Sequence, residues 1–175
     1  RDPHIYPEQN VRPFAFDHFG QLWMADYLHG PKLFNGRKKQ KTYLHAILDD
    51  SSRFIVHGGF YLTESVEPLI YDFMGAVRRF GIPQRFYTDN GAAYSSRHLK
   101  ILCARNGIDL IHTPPYKPQG RGKVERLFRT VRDQFLCDRF KTLTQINNAF
   151  KIWISSYHET IHSSLSCSPL QKRLQ

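Results

Sequence analysis

Two acids in this chain sit where a folded protein can bring remote carboxylates together. Asp89 follows Arg85-Phe86-Tyr87-Thr88 and opens Asp89-Asn90-Gly91. Glu125 lies in Lys117-Pro118-Gln119-Gly120-Arg121-Gly122-Lys123-Val124-Glu125-Arg126, with 35 residues between the two. A third acid, Asp26, interrupts the apolar run Leu22-Trp23-Met24-Ala25-Asp26-Tyr27-Leu28. Carboxylates are hard oxygen ligands for magnesium or manganese, and paired divalent ions of this kind drive phosphodiester chemistry. Taken singly, each acid has a plainer reading. Asp-Asn-Gly is a common turn signature, and Glu125 suits an ordinary ion pair on a solvated helix. Asp26 is the most unusual, because an acid on an apolar face is costly unless a metal or an arginine pairs with it.

The elements that would position these acids follow from periodicity. Residues 21–29 read as a strand with Leu22, Met24, Asp26 and Leu28 on one face and Trp23, Ala25 and Tyr27 on the other. The basic stretch Arg37, Lys38, Lys39, Lys41 reads as an exposed connection. Strands follow from Thr42 to Leu48 and from Arg53 to Leu62, joined by the turn Asp49-Asp50-Ser51-Ser52. Thr63 or Ser65 caps a helix reaching Phe80, which Gly81 and Pro83 end. Gln84 to Thr88 is a short strand that stops at Asp89. Ser95 or Ser96 then caps a helix to about Asn106, and Asp109 to His112 is a last strand. Thr113 to Gly120, with three prolines, is a loop. A helix from about Arg121 to Cys137 buries Val124, Leu127, Phe128, Val131 and Phe135, placing Arg121, Arg129 and Arg132 on the face of Glu125. Thr144 caps a final helix. The expected architecture is α/β, a mixed five-stranded sheet whose first three strands are antiparallel, with helices on both faces.

Composition narrows the partner. The chain has 175 residues, 41% of them apolar, which suits one folded domain. Its formal charge of +10 calls for a polyanion. No basic amphipathic helix or long apolar run favours a membrane surface, so nucleic acid is the expected partner. Cys103, Cys137 and Cys167 fit neither a disulfide framework nor a zinc site, which points to a reducing, cytoplasmic setting. Because the chain begins at Arg1, it reads as a piece of a longer protein, with 1–20 as an extended lead-in and 21–175 as the folded core.

Asp26, the run Thr88-Asp89-Asn90-Gly91 and the segment Lys117 to Glu125 together resemble the catalytic core of retroviral integrases and bacterial insertion-sequence transposases. Leu48-Asp49-Asp50-Ser51-Ser52-Arg53 fits the same family, as does the tail from Tyr157 to Leu165 with Ser168-Pro169 after it. The resemblance covers about residues 20 to 172. It implies a ribonuclease H-like fold and a catalytic, metal-binding triad of Asp26, Asp89 and Glu125. The triad would hold two magnesium ions, with manganese able to substitute, and Asp26 would bridge them. The activity implied is hydrolytic nicking of double-stranded DNA at an element's ends, then attack of the freed 3′-hydroxyl on target DNA. Self-association on DNA and a nucleoid setting are implied too. Expected DNA contacts are Asn90, Tyr116, Lys117, Arg121, Lys123, Arg126, Arg129 and Arg132. Two positions depart from the family pattern: Leu28 where threonine is frequent, and Ser166 where glycine is common.

Two other classes compete. A catalytically inactive DNA-binding module of the same fold would keep the basic surface without the chemistry. A zinc metalloprotease would use His158-Glu159-Thr160-Ile161-His162, which matches HExxH. That segment lies where the final helix should be ending, and no third ligand follows it. Asp49 and Asp50 read as turn residues, Asp109 and Asp133 as surface acids, and His45, His57 and His112 as strand residues.

Overall fold

The computed structural model describes residues 16–34, 36, 38–113, 121–137 and 139–175. Within them the elements run β1 (Leu22–His29), β2 (Leu33–Phe34), β3 (Lys39–Gln40), β4 (Tyr43–Asp49), β5 (Ile55–Tyr61), α1 (Val66–Phe80), β6 (Arg85–Thr88), α2 (Arg97–Arg105), β7 (Asp109–His112), α3 (Gly122–Gln134), α4 (Leu143–Glu159) and α5 (Pro169–Leu174). Five strands form one mixed sheet in the order β5-β4-β1-β6-β7. β5, β4 and β1 pair antiparallel, while β6 and β7 extend the sheet in parallel.

β1 is central and buried on both sides, which its sequence demands. Leu22, Met24 and Leu28 face one core with Val124, Leu127, Phe128 and Val131 of α3 and Ile146 and Phe150 of α4. Trp23 and Ala25 face a second core with Leu69, Phe73 and Ala76 of α1 and Leu99 and Cys103 of α2. Helices therefore cover both faces. Fully burying each large apolar side chain contributes roughly 1.5–3 kcal/mol, so the two cores fix where β1 and α3 lie, and with them their acids.

Three local readings change. The basic connection contains a two-stranded hairpin, β2 with β3, too short to show periodicity. The cap of α4 is Thr142, not Thr144: its hydroxyl accepts from the Gln145 amide, while the Gln145 side chain accepts from the Lys141 amide. A closing helix, α5, is held by a reciprocal capping box between Ser168 and Gln171. Asp49 and Asp50, read as turn residues, do flank the turn, with Asp49 closing β4, and both are buried. Asp49 accepts hydrogen bonds from the Ser51 and Ser52 hydroxyls and from the Ser52 and Gly20 amides. Asp50 accepts from Lys123 Nζ at 2.6 Å and from the Phe16 amide.

Ser166 adopts φ 57°, a left-handed conformation that explains why glycine suits that position in related tails. His45 and His57 are strand residues, as expected, and both turn toward the buried Asp72 carboxylate of α1, with Nδ1 at 2.6 and 2.9 Å. Tyr61 donates to the same carboxylate. Burial raises the Asp72 pKa, but the bonds from His45, His57 and Tyr61 outweigh it and hold the acid below its ordinary range. No described helix is long and apolar enough to cross a membrane.

Candidate active site

Asp26 and Asp89 are brought together by strand pairing. β1 and β6 are parallel neighbours in the register Trp23↔Phe86, Met24↔Tyr87. Continuing two residues along one face sets Asp26 beside Asp89, just past the end of β6. Asp26 is only 7% exposed. Its Oδ1 accepts from the Tyr27 amide at 2.8 Å, and its Oδ2 accepts from Arg121. Burial pushes the Asp26 carboxyl up, against the opposing pull of Arg121.

Asp89 Oδ1 accepts from the Gly91 amide at 2.8 Å, closing a tight turn. A Cβ on Gly91 would come within 2.9 Å of that oxygen, so only glycine leaves the carboxylate in place. The strand end is tied further: the Asp89 carbonyl accepts from His112 Nδ1 at 2.9 Å, and the Asn90 amide donates to the Thr113 carbonyl at 2.7 Å. Asp89 Oδ2 stands 3.8 Å from Arg121 Nη1.

One guanidinium therefore lies between the two aspartates. Burial would lower the Arg121 pKa, but the hydrogen bond and charge of Asp26, then the charges of Asp89 and Glu125, raise it. Of the two partners that sequence allowed for Asp26, an arginine stands within hydrogen-bond reach, and its charge faces both aspartates. Glu125, exposed on the first turns of α3, shares a cavity of about 330 Å³ with Asp26, Phe128 and Arg132. Among the described residues no three acids, histidines or cysteines stand close enough to form a metal site. The donor chemistry nevertheless fits hard cations. Two carboxylates from adjacent strands converge on one positive group, and Glu125 shares a cavity with one of them, Asp26.

The other expected contact residues separate into groups. Lys123 is held against the buried Asp50. Arg126 donates to the Ser163 hydroxyl at 3.1 Å, on the side of α3 away from the acids. Arg129 and Arg132 are exposed. Tyr116, Lys117, the rest of the 114–120 loop and Arg37 lie outside the described residues. The HExxH segment does not form a zinc site. α4 ends at Glu159, so His158 and His162 do not share a helical face. His158 Nε2 accepts from the Ile55 amide at 3.0 Å, its ring stacks on Phe54, and burial drives its pKa down to about 4.

Known proteins resemble this chain in sequence and in fold. A family model described as integrase core domain matches residues 17–118, and a second of the same description matches residues 106–169. The chain is 33% identical over 132 residues to the Gag-Pro-Pol polyprotein of sheep pulmonary adenomatosis virus, covering 75% of this chain and 7% of the polyprotein. It is 30% identical over 105 residues to the transposase for transposon Tn552 of Staphylococcus aureus, covering 53% of this chain and 22% of the transposase. The chain thus spans a small part of these relatives. Among solved structures, the HTLV-2 integrase catalytic core domain in complex with magnesium superposes with a TM-score of 0.69 at 22% identity, covering 93% of this chain and 99% of that one. A simian T-cell lymphotropic virus intasome chain superposes at 0.74 with 20% identity, covering 94% and 58%. The sheet order and two-sided helical cover are those of the ribonuclease H-like fold, and the chain belongs to the integrase core domain family.

Proposed function

We propose that this chain is the catalytic core of a DNA recombinase, cutting phosphodiester bonds at element ends and joining the freed 3′-hydroxyl to target DNA. The observation that carries this reading is the convergence on one cationic group of Asp26, within β1, and Asp89, just past the end of the parallel neighbour β6. Asp26, Asp89 and Glu125 are the residues that would hold two magnesium ions, or manganese in their place. When bound, such ions activate the attacking oxygen and stabilise the leaving one.

The chain's own residues supply the rest. β1 and β6 hold Asp26 and Asp89 on one face, and Gly91 and Asn90 lock the strand end that carries Asp89. The apolar stripe of α3 sets Glu125 at the cavity that Asp26 lines. Arg121 neutralises the two aspartates, and its guanidinium would be a charge-assisted donor to a phosphate brought beside them. Arg129 and Arg132, on the Glu125 side of α3, meet the backbone of double-stranded DNA as charge-assisted donors. Tyr116 and Lys117 reach the strand beside the scissile phosphate. Two copies or more act together on paired ends.

Magnesium-dependent strand transfer on short duplexes tests the assignment. Asp89→Asn abolishes joining while the melting temperature holds, because the asparagine Oδ1 can still accept from the Gly91 amide. Joining by that variant at the parent rate removes Asp89 from the mechanism. Joining absent from the parent, with DNA binding retained, favours the inactive DNA-binding module.

A further inference from the structure

On the side of α3 away from the three acids, a separate cavity of about 260 Å³ is lined by Arg53, Lys123, Arg126 and His162, with Gly122 and Ser164 at its rim. These residues come from the β4–β5 turn, the first turns of α3 and the segment after α4. A second cavity of the same volume shares Arg126 and His162 with it. Both fall below the roughly 300–1,000 Å³ of sites that enclose a whole small molecule. We infer that the pocket of Arg53, Arg126 and His162 at the N-terminus of α3 is a binding site for one phosphate group of the DNA backbone, distinct from the acid site.

Charge and donor geometry argue for it. The acids whose charge acts on Arg53 are already engaged: Asp50 with Lys123 and the Phe16 amide, Asp49 with Ser51, Ser52 and Gly20. Burial lowers the pKa of Arg53, and the charge of Arg126 adds to that effect against the attraction of Asp50 and Asp49. Burial lowers the pKa of His162 as well, with Arg53 and Arg126 adding to it. The charges of Arg53 and Arg126 repel one another across the cavity, and an anion between them would relieve that repulsion.

The donors also point one way. His162 Nδ1 accepts from the Ser164 amide at 3.3 Å, which leaves the neutral ring's proton on Nε2 as a donor. Arg126 spends one nitrogen on Ser163 and keeps the rest of its fork. At the N-terminus of α3, Arg121 supplies no side-chain cap. No described residue lies within 4 Å of a Cβ built on Gly122, and backbone amides at a helix start favour an anion. Such a site would clamp DNA to the helix carrying Glu125.

This inference rests on the chain acting on DNA, and its test uses neither metal nor joining, so its failure leaves the acid-site reading untouched. Inorganic phosphate is titrated into ¹⁵N-labelled chain in metal-free buffer, and a short duplex is then added. Saturable shifts are expected at the Gly122, Lys123 and Ser164 amides, weakened about tenfold by Arg126→Gln, a loss of roughly 1.4 kcal/mol. Arg53→Gln weakens them likewise, and the duplex displaces the phosphate. Arg126→Gln also lowers the slope of log affinity for duplex against log salt by about 0.9. Absent shifts, shifts that persist in both variants, or phosphate that the duplex does not displace would overturn the assignment.

Discussion

Replacing Arg121 by glutamine separates the metal-free and metal-bound roles of the acids. The side chains of the Arg121–Asp26 pair are 26% and 10% exposed. Removing one partner of a fully buried pair costs about 3–5 kcal/mol. Arg121 is a quarter exposed and Asp26 escapes part of the penalty by taking up a proton, so about 2 kcal/mol is expected at pH 8. For a domain of this size that is a fall of about 4–8 °C in melting temperature. The sign with pH follows from Asp26, whose folded pKa burial already raises. Losing Arg121 raises it further, so the folded variant binds more protons than its unfolded chain above about pH 4. The deficit therefore grows as pH rises and shrinks in acid.

Magnesium changes the comparison. An ion at a hundred times its dissociation constant adds about 2.7 kcal/mol, and in the variant it no longer competes with the guanidinium. Thermal melts at pH 8 across a magnesium titration should show a larger stabilisation of Arg121→Gln than of the parent. A variant as stable as the parent without metal, or equal magnesium effects on both, would refute the idea that Arg121 holds the cation's place.

Three further outcomes follow from the geometry. His158 is neutral in the folded protein, with a pKa of about 4, so its contribution is present above about pH 6.5 and is lost as pH falls toward 4, by about 2 kcal/mol. His158→Gln should flatten acid unfolding in that window as followed by urea melts. Asp49→Ala strips the partner from two hydroxyls and two amides in a buried turn, and should cost about 2–4 kcal/mol by the same measurement. Arg129→Ala should lower the salt slope of duplex binding by about 0.9 without changing stability; an unchanged slope removes it from the interface.

Much of the frame was legible because it rests on repeating patterns. Alternation in Leu22 to Leu28 gave a central strand, and the stripe Val124, Leu127, Phe128, Val131 gave α3 its buried face. Capping chemistry was present but read two residues late at α4, where Thr142 and Gln145 form the pair, and passed over at Ser168-Pro169-Leu170-Gln171. β2 and β3 span two residues each and leave no periodic trace. What sequence could not supply was three-dimensional pairing. Asp50 binding Lys123, and Arg53 meeting His162, join residues more than 70 positions apart. Arg121 was placed on the helical face of Glu125, yet from the end of α3 it reaches back to both aspartates. The order of residues carries no signal for such a choice of partner.

Crystals of the chain soaked in manganese, with anomalous scattering recorded, would show where divalent ions settle. The account predicts peaks bounded by the carboxylates of Asp26 and Asp89, with Glu125 drawn to the same cluster and Arg121 displaced from between them. Peaks elsewhere, or none while Arg121 still bridges the two aspartates and α3 stays ordered, would contradict it.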